Sequence, residues 1–91
     1  MILALAILSL AAAHKAVETT ERDYWHGQHA TIKVSPCHRV TRRRATCVSQ
    51  AWTPGDYTRT LQQVTLEHGG YLRVHELAEV QTITLDEAGK P

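Results

Sequence analysis

Three sets of side chains in this 91-residue chain have types and spacings that can do chemistry. Cys37 and Cys47 are its two cysteines. His14, His26 and His29 precede them, and Arg39, Arg42, Arg43 and Arg44 fall between them. A cysteine pair can form a disulfide or supply a thiolate nucleophile. Imidazoles suit borderline transition metals such as copper and nickel. Guanidinium forks match the oxygens of phosphate, sulfate and carboxylate groups.

The expected compartment decides which cysteine chemistry applies. Met1 to Ala13 is apolar except at Ser9 and ends in Ser9-Leu10-Ala11-Ala12-Ala13, the apolar core and small-residue exit of a secretory leader. It runs straight from Met1 into Ile2, without the Lys or Arg that usually opens a leader, so the true start is expected upstream or export is inefficient. The alternative, a buried N-terminal helix of a cytosolic protein, is disfavoured because the stretch has no polar face, and the stretch is shorter than the ~20 apolar residues needed to span a bilayer. The expectation is a secreted or periplasmic protein, not membrane-spanning after leader removal, with its two cysteines joined.

The hydrophobic share is 43% and the net charge +1, and the share falls when the leader is set aside. A small domain with so thin a core normally needs a staple. The midpoint between Cys37 and Cys47 is Arg42, within a Thr41-Arg42-Arg43-Arg44 tip between two β-capable segments, Ala30 to Val40 and Ala45 to Trp52. A hairpin centred there sets the cysteines opposite each other, at the ~4.5 Å Cα spacing of a non-hydrogen-bonded pair. Closing that loop stabilises the fold by roughly 3 kcal/mol on the chain-entropy model.

The arginines carry the functional expectation. Basic residues dominate Thr31 to Thr60 and acidic residues dominate from Leu61 onward. The Arg42-Arg44 tip, with Arg39 nearby, suits an anionic polysaccharide, lipid or protein surface, against the plain alternative of a solvated turn. Export argues against nucleic acid as the natural partner. The expected role is a non-catalytic binding or structural module.

Two arrangements of histidine make copper or nickel binding the alternative. Trp25-His26-Gly27-Gln28-His29 places two imidazoles three residues apart. Leader cleavage after Ala13 would join the His14 imidazole to a free α-amine, and cleavage after Ala11 would present Ala12-Ala13-His14, whose nitrogens can surround the metal in a plane. No other cofactor is expected. Ser35 and Ser49 lack a glycine-flanked nucleophile turn, no phosphate-cradling loop is present, and the carboxylates look scattered over predicted surfaces.

Pro36-Cys37-His38-Arg39-Val40 is similar to the active-site motif of the O6-alkylguanine-DNA alkyltransferases. The resemblance implies that Cys37 is an alkyl-accepting thiolate and that His38 belongs to the chain activating it. The match covers five residues. That family carries its cysteine in a helical DNA-binding domain with a glycine- and leucine-rich continuation, whereas Thr41-Arg42-Arg43-Arg44-Ala45-Thr46-Cys47 follows here in a strand-like pattern, with no recognition helix. Oxidation would also remove the free thiolate. A thiol-dependent enzyme at Cys37 is therefore the third reading, behind binding module and metal protein.

The elements that must hold these residues read as strands and turns. Ile32 and Val34 alternate with Thr31 and Lys33 before Pro36 interrupts the ladder at an edge or bulge. Pro54-Gly55 has the order of a type II turn. Val64 and Leu66 alternate with polar neighbours, as do Leu72 and Val74, and a His68-Gly69-Gly70 loop would pair Leu66 with Leu72 and Val64 with Val74. Val74, Leu77 and Ala78 fit helical spacing, while Gln81 to Leu85 alternates; a strand is favoured, with a bulge or helix before its end. The predicted organisation is a leader over 1–13, a loose N-terminus over 14–23 and one small β domain over 24–91. The predicted fold is all-β, a small antiparallel meander or open barrel of four to five strands with one hairpin disulfide.

Overall fold

Two glycine-bearing turns set the registers of the sheet. The structure is a computed structural model and describes residues 6–84; Met1 to Leu5 of the expected leader and Leu85 to Pro91 of the expected β domain lie outside the described residues. The elements are α1 (Leu10–Tyr24), β1 (Thr31–Val34), β2 (His38–Thr41), β3 (Arg44–Thr53), β4 (Asp56–Leu66) and β5 (Leu72–Thr84). The sheet is antiparallel, in the order β1-β3-β4-β5, with β2 also on β3.

Pro54-Gly55 joins β3 to β4, with Thr53 opposite Asp56 and Gly55 at φ 91°. Proline fixes the first corner, and only glycine takes the second at little cost. Trp52 and Tyr57 face each other beside the turn with ring centroids 5.1 Å apart, a cross-strand aromatic pair that reinforces the register. Beyond Leu66 the chain reverses through Glu67–Tyr71, where Gly69 and Gly70 both have positive φ, and Leu66 pairs with Leu72 and Val64 with Val74 as the alternation predicts.

β1 and β2 occupy the same edge of β3 in succession. Their registers differ by one residue, absorbed at Ser35-Pro36, where proline cannot donate to the ladder. Ser35 compensates, its Oγ accepting from the Val48 N–H at 3.1 Å. A second shift between Arg39 and Thr41 lets the two-residue turn Arg42-Arg43 close while Cys37 still meets Cys47. The disulfide lies between adjacent strands, with Cα atoms 4.3 Å apart. The ambiguous C-terminal stretch is strand as far as Thr84. The residues that break its alternation are taken up by two shifts against β4, at Arg59/Thr60 and Leu61/Gln62, as bulges allow.

The segment before β1 departs from expectation. Residues 14–23, predicted to be loose, lie in α1. Ser9 is the N-cap, its side chain accepting from the Ala12 N–H at 3.1 Å, and Ala13, Val17 and Glu21 are buried at intervals of four, one stripe of the helix. Ala13 of that stripe falls within the expected leader, which leaves Val17 as its one apolar member between 14 and 23. α1 covers the sheet face bearing Ala45, Cys47, Ser49 and Ala51, all buried, whose small side chains admit a helix. The core comprises Leu8, Ala13, Val17, Val34, Cys37, Ala45, Cys47 and Val64.

Leu8 is tied in through backbone and side chain. Its N–H donates to the Arg42 carbonyl at 2.8 Å, its carbonyl accepts from Arg39 Nη2 at 2.6 Å, and its side chain is fully buried. A chain beginning at His14 loses this residue together with the Ser9 cap and Ala13. Full burial of a leucine contributes about 1.5–3 kcal/mol and a cap about 1 kcal/mol. The shortened chain should therefore be less stable than the 91-residue chain by roughly 3 kcal/mol, measured by urea denaturation; equal midpoints would show that the segment adds nothing to the fold.

Candidate anion-binding groove

The β2–β3 turn and the β4–β5 loop lie at the same end of the sheet, where the Leu66 N–H donates to the Arg43 carbonyl at 2.7 Å. Between them runs a groove of about 720 Å³, lined in part by Arg42, Arg43, Arg44, Thr65, His68 and Arg73. Local geometry explains why these side chains converge. The Pro54-Gly55 turn pairs Arg44 with Thr65, and the glycine loop pairs Thr65 with Arg73. Alternation then puts all three in one row on the face opposite α1.

The arginines are not equivalent. Arg42 and Arg44 are exposed, whereas Arg43 is half-buried and its Nε donates to the Leu66 carbonyl at 2.9 Å. Arg39 turns its fork onto the backbone, reaching the carbonyls of Leu8, Arg42 and Thr41 at 2.6, 3.3 and 3.5 Å. It clamps the hairpin to the N-terminal segment and does not line the groove. Arg73 pairs with Glu67 through Nε and Oε1 at 2.9 Å, so a carboxylate of the protein already occupies part of the cationic groove. Between Arg44 and Arg73 in the row, the Thr65 hydroxyl is buried without a protein partner, as is His75 Nδ1 in the next row. Buried polar atoms are normally satisfied. The orphaned hydroxyl lies in one row with two arginines and lines the cationic groove with a donor left unpaired.

No family model, curated protein or solved structure matches the chain.

The other predicted site residues lie elsewhere. His14 sits in α1, its Nε2 donating to the Val34 carbonyl at 2.9 Å and its Nδ1 3.7 Å from Glu18. His26 and His29 are exposed in the turn after the helix. Among the described residues, no group of three or more His, Cys, Asp or Glu side chains gathers at metal-binding distance. Cys37 is buried and bonded to Cys47, so in this state its sulfur is no thiolate.

One carboxylate expected on the surface is buried. Glu21 accepts from Ser49 Oγ at 2.8 Å and Gln62 Nε2 at 2.5 Å on one oxygen, and from Trp25 Nε1 at 2.7 Å on the other. Its three donors are neutral, and it lies in the last helical turn, where the helix dipole disfavours an anion. Tertiary hydrogen bonds hold it there. The carboxylate borders a cavity of about 210 Å³, yet both of its oxygens are already engaged.

The sequence reading centred the site on the tip and missed Thr65, Glu67, His68 and Arg73. The signal for them was present in part. The register that pairs Leu66 with Leu72 also pairs Thr65 with Arg73.

Proposed function

We propose that this chain is a small exported, non-catalytic module that keeps the segment from Ile7 to Ala13, whose Leu8 and Ala13 belong to the core, and binds an anionic partner through the arginine groove. The observation carrying the reading is the Arg44-Thr65-Arg73 row beside the exposed Arg42, with a buried hydroxyl lacking a protein partner at its centre. Two or more guanidinium groups converging on one groove raise the local concentration of an anion and hold its oxygens with charge-assisted bonds. The disulfide of a small, thin-cored domain supports an oxidising compartment, and no described helix is long and apolar enough to cross a membrane.

Retention on immobilised heparin tests the groove with a polyanion whose charge density exceeds that of most natural partners. The parent should be held at low ionic strength and released as salt rises. Changing Arg42, Arg43 and Arg44 together to Ser should abolish retention; loss of the exposed Arg42 and Arg44 charges contributes little to folding, while loss of the half-buried Arg43 also removes its bond to the Leu66 carbonyl and should cost about 1.5 kcal/mol of stability. Glu67→Gln removes the internal competitor and should delay elution. A parent that passes through at low salt, or a triple variant retained like the parent, would remove the anionic partner from this reading.

A further inference from the structure

The same end of the molecule that carries the arginines also carries apolar side chains turned to water. Among the described residues the exposed large hydrophobics are Ile7, Tyr24, Val40, Tyr71 and Leu77. Three of them, Ile7 at 62%, Val40 at 55% and Tyr71 at 60% exposure, belong to this end. Ile7 precedes Leu8, which bonds to Arg42 and Arg39. Val40 is the residue at the register shift beside the arginine turn. Tyr71 closes the β4–β5 loop, its carbonyl accepting from the Glu67 N–H at 2.9 Å.

Resting on the anionic-partner reading, we infer that this end docks on an anionic lipid bilayer, with Arg42, Arg43 and Arg44 at the headgroups and Ile7, Val40 and Tyr71 in the interfacial region. A sulfated polysaccharide would satisfy the arginines and leave the three apolar side chains in water. A bilayer surface satisfies both, since each basic residue near anionic headgroups contributes about 1 kcal/mol and buried apolar groups add to it. Tyrosine, with an apolar ring and a polar tip, is suited to the boundary.

Cosedimentation of the full chain with vesicles tests the inference, using phosphatidylcholine alone and phosphatidylcholine with one-third phosphatidylglycerol, alongside the heparin column. The parent should partition onto the anionic vesicles and not the neutral ones. Changing Arg42, Arg43 and Arg44 to Ser should weaken that partition on the order of a hundredfold. Changing Ile7, Val40 and Tyr71 to Ser should weaken it about tenfold and leave heparin elution unchanged. Tyr71→Ser alone, an exposed change in a loop, should give a smaller loss in the same direction if the triple variant melts early. Apolar variants that bind vesicles like the parent would overturn insertion. A parent held by heparin that ignores anionic vesicles would overturn the lipid and leave the groove as a polysaccharide site. A parent bound by neither would overturn the anionic-partner reading itself.

Discussion

Glu21→Ala is expected to lower the unfolding free energy by about 3–5 kcal/mol, a large share of the stability of a domain this size. The carboxylate gathers donors from three elements: Trp25 at the helix terminus, Ser49 on β3 and Gln62 on β4. Ser49 and Gln62 are themselves buried. Alanine leaves those donors facing a void, and an unsatisfied buried donor costs about 1–3 kcal/mol, whereas hydrogen bonds to a charged acceptor contribute about 1.5–3 kcal/mol each. Glu21→Gln keeps the shape and one acceptor oxygen but turns the other end into a donor, so a loss of about 1–2 kcal/mol is expected. Urea denaturation of the three proteins, followed by the combined fluorescence of Trp25 and Trp52, should give midpoints in the order parent, Gln, Ala. Coincident midpoints would mean that the network does not hold helix to sheet.

Replacing Cys37 and Cys47 together by serine should cost roughly 3 kcal/mol, within the 2–5 kcal/mol typical of native disulfides in small domains. The closed loop, with a sequence separation of 10, supplies most of this on the chain-entropy model. Both half-cystines are buried against the core that includes Val17 and Val34, and two hydroxyls in their place would need partners there. The double variant should be largely unfolded at 37 °C. Melting within a few degrees of the parent would show that the hairpin is held by its ladder and the Arg39 clamp alone. Comparing the parent with and without reductant separates the bond from the substitution, because reduction breaks the link and leaves the sulfurs in place.

Local chemistry made much of the sheet legible. Proline at one corner and glycine at the next can close β3 onto β4 in few ways, and apolar alternation about Gly69-Gly70 admits one register that keeps Leu66 and Val64 on the buried face. The cysteine pairing followed from there being two cysteines and a turn midway between them. Those same registers imply the Arg44-Thr65-Arg73 row. The basic tip is a run of consecutive residues and is visible along the chain, whereas a row across strands joins residues far apart in sequence.

The helix was obscured for a different reason. Its buried stripe of Ala13, Val17 and Glu21 has two short side chains and a carboxylate, so no strong apolar period announced it, and the apolar run before it suggested a leader. The sequence by itself determined the strands, their turns, the disulfide and the basic tip, because each follows from residues close along the chain or from a two-way choice. Only the tertiary structure decided that Leu8 and Glu21 are interior and that Arg39 is a clamp. Each of those depends on partners at least twenty residues away in sequence, and a side chain's role as ligand, clamp or core is set by which distant donor or acceptor meets it.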